Sequence, residues 1–318
     1  MSQPLAVVLA AGKGTRMKSD LPKVLVETCG RPMLEYVLDA LEAGGICHSL
    51  VVVGYRSDLV REALADREHV DFVEQSEQLG TGHAVQVCAQ HLEKHDGAVL
   101  IVTGDSPLTQ SSSIAALLDL FHRERPACIL GTAHKDDPTG LGRIVRSEQG
   151  EFVGIVEQKD TTPQQQQITE VNMSTYVFNS RDLTAALGRL SNDNQQGEYY
   201  ITDYPGILKS EGKVVKALDV LQPCESLSIN TLDDLHVVES EMRRLGYSRE
   251  SLKSSAVRPT WIWPSKSASF CIWSRDALIW ATIQMGKFAA RSKKMFAAAT
   301  SFSSSQPVHQ STTISCSC

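Results

Sequence analysis

Residues 5–25 read LAVVLAAGKGTRMKSDLPKVL, an apolar run that passes without a break into small residues, two glycines and several cations. Five apolar residues bounded by turn signals are consistent with a fully buried strand. A strand ending in Ala10, Ala11 and Gly12 lets the flat face or the phosphate of another molecule come close to the backbone. Gly12 and Gly14 are expected to adopt unusual φ angles and to expose N–H groups as a nest for an anion. The spacing fits neither common phosphate loop. The third glycine of the dinucleotide fingerprint would fall at Met17, and the P-loop needs Gly-Lys-Ser/Thr after four intervening residues. Glycines in such turns are ordinary on their own. Arg16 and Lys23, with no acidic residue between Gly12 and Ser19, make the difference, because two cations beside a nest suit a triphosphate. The competing reading is a pair of solvated surface cations.

Outward from this turn, further apolar runs at 49–53, 99–103 and 127–131 alternate with stretches of helical period at 33–43, 58–65, 82–92 and 112–122. Strands separated by helices of this length require crossover connections. The expectation is therefore an α/β fold with a predominantly parallel, Rossmann-like central sheet, covered on both faces, with ligands at the carboxyl ends of its strands. From about residue 140 shorter strand-like pieces (143–145, 152–156, 175–178) are separated by polar turns, including the glutamine run 164–167, and predict a smaller mixed lobe. Strand character resumes at 214–220 and 226–229, and 231–245 has helical period. The expected division is a first domain over 1–230, with parts at about 1–139 and 140–230, then an exit helix or linker over 231–257.

The 318 residues, 42% hydrophobic and 21% charged, can bury a large core, which excludes a disordered or fibrous chain. A formal charge of −6 gives no global attraction to nucleic acid or acidic membranes, so neither is expected as a partner. Any polyanion must be met locally. No apolar run reaches the 18 residues of a span, and the start MSQPLAVVLAAGKG lacks the basic region and cleavage pattern of a signal peptide; a cytoplasmic location is expected. Eight cysteines form no CxxC pair, so reduced thiols are expected, with Cys29, Cys88 and Cys128 as small buried hydrophobes. Residues 258–318 differ in texture: they hold all four Trp, twelve Ser and seven Lys and Arg against one acid, Asp276. A weakly structured basic tail is expected there, the alternative being a basic-aromatic binding patch.

The run 99–103 ends in Thr103-Gly104-Asp105-Ser106-Pro107. A carboxylate at the carboxyl edge of a central parallel strand points into the ligand crevice, and Gly104 leaves room for substrate beside it. Asp105 is the candidate Mg²⁺ ligand, since Mg²⁺ takes one or two protein oxygens and completes its shell with phosphates and water. The alternative is an Asp capping the next helix. In the polar loop Gln75-Ser76-Glu77-Gln78-Leu79-Gly80-Thr81-Gly82-His83, an amide side chain with N–H groups around Gly80 and Thr81 can read the imide edge of a pyrimidine. His83 is expected to begin a helix. An attacking phosphate is already ionised and needs no general base.

With EQLGTGHAV, TGDSPL, DDPTGLGRIV, GIVEQKD, EVNMSTYVF and NDNQQGEYYITDY following in order, residues 4–250 resemble the uridyltransferase part of the bifunctional N-acetylglucosamine-1-phosphate uridyltransferase/glucosamine-1-phosphate acetyltransferase family. The resemblance implies a nucleotidyltransferase fold whose 140–230 part binds sugar. It implies that Leu9, Ala10, Ala11 and Gly12 line the uridine and its phosphates, that Lys23 meets the phosphates, and that Gln75, Gly80 and Thr81 read uracil. Gly140, Glu157 and Asn172 would contact the amino sugar, with Thr103 and Gly104 beside it. Asp105 with Asn230 would hold Mg²⁺; from the residues alone, Asn230 reads as the N-cap of the 231–245 helix. The implied substrates are UTP and N-acetylglucosamine 1-phosphate, the products UDP-N-acetylglucosamine and pyrophosphate, and the catalytic groups Arg16, Lys23 and Asp105. Rival expectations are a nucleotidyltransferase making UDP-glucose or dTDP-glucose, and a catalytically silent nucleotide-sugar-binding regulator.

Two departures fall on the implied sugar pocket. The family often has Tyr-Gly-Asp at 103–105 and Asn-Thr-Gly at 172–174, where this chain has Thr103 and the pair Met173-Ser174. A third is that no hexapeptide repeat follows Val257, so no acetyltransferase activity is expected and the oligomeric state stays open.

Overall fold

The computed structural model describes residues 3–17, 19–194, 196–247, 268–274 and 277–283. The chain divides into two compact units, Met1–Arg249 and Glu250–Cys318.

The first unit opens with β1 (Leu5–Leu9), the hairpin β2 (Glu27–Thr28) and β3 (Arg31–Pro32), α1 (Met33–Ala43), β4 (His48–Val53), α2 (Ser57–Ala63) and β5 (Val70–Glu74). It continues through α3 (Thr81–Gln86), α4 (Ala89–Lys94), β6 (Ala98–Thr103), α5 (Ser111–Glu124) and β7 (Cys128–His134). Then come β8 (Arg143–Arg146), β9 (Phe152–Val156), β10 (Glu170–Asn179), α6 (Ser180–Ala186), α7 (Asp203–Ser210), β11 (Val215–Asp219) and α8 (Leu232–Arg244). The main sheet runs β11-β7-β10-β6-β1-β4-β5, with β8 and β9 attached beside β10. β5, β4, β1 and β6 are mutually parallel, whereas β10 is inserted antiparallel between β6 and β7. The expected α/β fold with a predominantly parallel sheet is therefore present. The segment after residue 140 contributes strands to the same sheet.

Alternation along the strands builds two cores. Val7, Leu50, Val52, Val99 and Ile101 point to one face, where α3, α4, α6 and α7 bring Val85, Leu92, Leu183 and Tyr204. Ala6, Val8, Val51, Leu100 and Val102 point to the other, under Leu34, Val37 and Leu41 of α1 and Ile114, Leu117 and Phe121 of α5. Strands buried on both faces read as continuous apolar runs because neither face is wet.

Two elements differ from their sequence pattern. The period over 82–92 is two helices rather than one. Cys88 N donates to Val85 O at 3.0 Å, a tight turn that separates α3 from α4. Val85, Cys88 and Leu92 are nonetheless all buried, so the apolar face continues across the break. The expected strand 226–229 is not a strand. A 3-10 turn, Pro223–Ser226, is held by the buried Glu225 carboxylate, which accepts from Ser113 Oγ at 2.6 Å and Gln110 N at 2.9 Å. The chain after it runs beside Asp105, and Ile229 is fully buried there. Burial without a ladder produced the strand-like composition.

The α8 helix packs on the β2–β3 hairpin: Cys29 N donates to Glu239 Oε1 at 2.9 Å and Thr28 Oγ1 lies 3.4 Å from Met242 Sδ. Among the described residues no helix is long and apolar enough to cross a membrane. In the second unit, β12 (Ala268–Ser274) and β13 (Ala277–Ile283) pair antiparallel. The expectation of a weakly structured tail otherwise lies outside the described residues.

Ser174 adopts φ +51° at an irregularity where β10 slips its register against β7 between Asn172 and Thr175. An L-residue pays in this left-handed region and glycine does not. The glycine often found here in the resembled family is thus a backbone requirement that Ser174 meets under strain. Replacing Ser174 by Gly should raise stability by about 1 kcal/mol, read as a higher urea midpoint at unchanged slope. A lower midpoint would show that the serine side chain offsets its own strain.

Candidate functional site

The strand order places β1 at the centre, with β4 and β5 on one side and β6 on the other. The chain therefore reverses its winding direction between β1 and β6, and the crevice at such a switch point is where open α/β sheets bind ligands. In-register pairing sets Leu9 opposite Thr103, and Gly104 N donates to Leu9 O at 2.9 Å. The loops carrying Gly12 and Asp105 consequently leave the sheet at one level.

Four side chains meet there. Lys23 Nζ donates to Asp105 Oδ2 and, at 2.7 Å, to Asn230 Oδ1. Arg16 Nη2 donates to the same Asn230 oxygen at 3.0 Å. Ile229 N donates to Asp105 O at 3.3 Å, which ties the late segment to the strand end. Lys23, with 13% of its side chain exposed, is thereby no solvated surface cation, whereas Arg16 stays exposed and joins the cluster through Asn230. Gly14, at φ +64°, is what lets Lys23 lie across the loop: a Cβ there would stand 2.6 Å from Lys23 Cβ. Gly12, expected to share the unusual φ, does not; its side is open, with nothing within 4 Å of a built Cβ. Ala10 and Ala11 are buried, and Leu9 is partly exposed at the strand end.

Neither capping alternative holds. The helix after Asp105, α5, begins at Ser111 behind Gln110. The N-cap of α8 is Thr231, in a capping box with Asp234, whose Oδ2 accepts from both Asn230 N and Thr231 N at 2.9 and 2.8 Å. Asn230 is held just outside the helix with its side chain directed to the cations.

The chemistry of this donor set suits a hard divalent cation. A carboxylate oxygen and an amide oxygen already face one ammonium, so the same two oxygens can face a metal whose remaining ligands are phosphate and water. Among the described residues no group of three His, Cys, Asp or Glu could hold a metal unaided. Asp105 and Asn230 thus fit a divalent cation shared between protein and substrate.

At the end of β5, the buried Gln75 donates from Nε2 to Gly80 O at 3.1 Å and lies 3.0 Å from His83 Nδ1. Gly80 is the N-cap of α3 and Thr81 its first residue, so His83 stands within the first turn rather than opening it. Sequence reasoning gave no role to the residues that hold this loop. Gly82 N donates to Tyr199 O at 2.7 Å, Tyr199 N to Leu79 O at 2.9 Å, and Ile201 N to Thr81 Oγ1 at 3.1 Å. A Cβ on Gly80 would meet Tyr199 O at 2.5 Å. Gly54 was also missed. A Cβ there would lie 2.8 Å from both Ala11 O and Gln78 Nε2, so its bareness lets the two loops approach. The signal was available, since Gly54 follows an apolar strand as Gly104 does.

Gly140, Glu157 and Asn172 gather around β8. Asn172 N donates to Gly142 O at 2.8 Å, and a Cβ on Gly142 would sit 3.5 Å from Glu157 Oε1 and 3.6 Å from Asn172 Cβ. Gly140, at φ +84°, is open on its Cβ side. Asn172 Nδ2 donates to Tyr176 Oη at 2.8 Å; burial pushes that phenol far up, so it stays protonated. Burial also raises the Glu157 carboxyl, opposed by a hydrogen bond from Thr202. Residues 199–202 therefore touch both the 79–82 loop and Glu157. Thr103 Oγ1 lies 3.0 Å from Ser106 Oγ at the end of β6.

This arrangement is that of a nucleotidyltransferase fold, and residues 6–203 match the MobA-like NTP transferase domain family, to which the chain belongs. Among curated proteins it is similar to the bifunctional protein GlmU of Streptococcus gordonii, 45% identical over 239 residues, which is 75% of this chain and 52% of that protein. GlmU of Limosilactobacillus fermentum is 47% identical over 225 residues, 71% of this chain and 49% of that one. The chain spans about half the length of the curated relatives it matches. A UDP-glucose pyrophosphorylase solved with UDP-glucose superposes with a TM-score of 0.63 at 15% identity, over 77% of this chain and 100% of that one, which shows the shared fold.

Because the Glu157 pKa is raised above 4.5 on folding, the native state holds that proton more tightly than the unfolded chain. The resulting stability is complete below 4.5 and is lost as pH rises through the raised value. A Glu157→Gln variant has no such proton to lose. Its urea midpoint relative to the parent should therefore climb between acid and neutral pH. A gap independent of pH would show that the carboxyl is not desolvated.

Proposed function

We propose that the chain transfers uridylyl from UTP to N-acetylglucosamine 1-phosphate, giving UDP-N-acetylglucosamine and pyrophosphate, with Mg²⁺ as cofactor. The observation that carries this reading is the meeting of Arg16, Lys23, Asp105 and Asn230 at the switch point. Its specificity leans on the similarity to GlmU proteins.

In the reaction an oxygen of the sugar phosphate attacks the α-phosphorus of UTP in line, the bond from that phosphorus to the β-phosphate oxygen breaks, and pyrophosphate leaves. Two polyanions must meet, so positioning and charge neutralisation provide the rate. Mg²⁺, when bound, would supply charge neutralisation to the phosphates. Asp105 and Asn230 present the oxygens that hold it. Arg16 and Lys23 carry the fixed positive charge for the transferring and leaving groups. Leu9, Ala10, Ala11 and Gly12 line the nucleotide, while Gln75, Gly80 and Thr81 read the uracil edge. Gly140, Glu157 and Asn172 hold the amino sugar, with Thr103 and Gly104 bordering it. The substrates are soluble metabolites, consistent with a cytoplasmic site of action and with no nucleic-acid or membrane partner.

Pyrophosphate release from UTP with N-acetylglucosamine 1-phosphate, with and without Mg²⁺, tests the reading. Asp105→Ala should abolish turnover while leaving the circular dichroism spectrum and melting transition intact. Lys23→Ala should slow it by about 10²-fold or more, the scale of a lost charge-stabilising group. Near-normal Mg²⁺-dependent turnover by Asp105→Ala would overturn the assignment. Preference for glucose 1-phosphate or for dTTP would move the substrate, and binding without turnover would mark a regulatory protein.

A further inference from the structure

We infer that Arg143 and Gln158 form a clamp that positions the glycine loop at 140–142 for the sugar, an inference that rests on the sugar-binding role proposed for Gly140, Glu157 and Asn172. Arg143 is among the largest fully buried side chains of the protein, with 2% of its surface exposed. Its hydrogen-bond partners are all neutral. Nη1 donates to Leu141 O and Nη2 to Gln158 Oε1 at 2.8 Å, while the buried Nε has no partner. Gln158 Oε1 also accepts from Gly140 N at 3.1 Å. One amide oxygen therefore joins the guanidinium to the backbone of Gly140, and the other arm of the guanidinium holds the next carbonyl.

Core packing does not account for this side chain. Asp137 interacts with the guanidinium only through space; burying it with no carboxylate hydrogen-bonded to it is unfavourable, and an apolar residue of the same volume would fill the space without an orphaned donor. What Arg143 and Gln158 supply is direction. Gly140 is exposed, sits at φ +84° and has open space beside it, so without the clamp its backbone would be free to turn. The clamp also joins the residues flanking the pocket. Gln158 follows Glu157, and Arg143 follows Gly142, whose carbonyl accepts from Asn172 N. Neither residue needs to touch the substrate; both act through the loop they hold.

The test uses the full chain with Gln158→Leu, which removes the acceptor at a partly exposed position, and Gln158→Glu, which keeps it. In the substrate-free protein, hydrogen exchange at the Gly140 amide should quicken by about tenfold or more in the Leu variant and stay near the parent value in the Glu variant, because exchange reports local opening. With substrates, the Leu variant should raise KM for N-acetylglucosamine 1-phosphate by about tenfold, leave KM for UTP within about twofold, and largely keep kcat, the pattern of lost binding rather than lost chemistry. Gln158→Glu should restore the sugar-phosphate KM. Unchanged exchange in the Leu variant, an equal rise in both KM values, or failure of the Glu variant to recover would each overturn the clamp. Absence of parent turnover with any sugar phosphate would instead count against the proposed activity, and the exchange measurement would still judge the clamp.

Discussion

The parallel pairing of β1 with β6, in a register that sets Leu9 beside Thr103, is the constraint on which the remaining geometry depends. Two strands distant in sequence are held level by main-chain hydrogen bonds between faces that exclude water. Ala6, Val7 and Val8 of β1 and Val99, Leu100 and Ile101 of β6 are fully buried, so neither strand can slide without exposing a core. The loops that leave them inherit this precision. Asp105 begins two residues beyond the ladder, and its own carbonyl fixes Ile229 and hence Asn230. A site built at the ends of central strands needs little further support.

The electrostatics of the site run against those of the molecule. The protein carries −6 overall, yet Arg16 and Lys23 face a single carboxylate, Asp105, and one neutral amide. This local positive charge, with Asp234 turned to the backbone of Asn230 and Thr231, is what the proposed polyphosphate would require in a chain of net negative charge. Gly14 adds a steric condition, since only a residue without a side chain lets the Lys23 stem cross the loop.

Most of this grip was legible in the sequence, because each part lay next to its own signal. Arg16 and Lys23 followed a strand and glycines, and Asp105 followed a strand and Gly104. The helix over 33–43 matched its period to the residue. Legibility failed where a residue acts on a partner far along the chain. Tyr199 and Ile201 hold the 79–82 loop through backbone groups, which leave no trace in side-chain pattern. The stretch 226–229 looked like a strand because its apolar Ile229 is buried, although that burial comes from lying beside Asp105. The antiparallel insertion of β10 between β6 and β7 was likewise invisible to local periodicity, which reports burial but not the neighbour that provides it.

That insertion bears on one of the two departures from the resembled family, the pair Met173-Ser174 on β10. The strand ends that lead to Gly12 and Asp105 are parallel, and the ladder fixes their positions. Asn172 instead lies on β10, which is antiparallel to its neighbours and slips its register between Asn172 and Thr175. A slip of this kind frees residues from the ladder and re-aims their side chains. Asn172 can then meet the Tyr176 hydroxyl, while Met173 and Ser174 fall outside the register pairs with β7. Thr103, the last residue of β6, is only partly buried and finds its partner in Ser106 within its own turn. On the proposed function, the residue assigned to the sugar on β10, Asn172, thus sits at the slip, whereas the residues assigned to the phosphates leave strands whose ladder is unbroken.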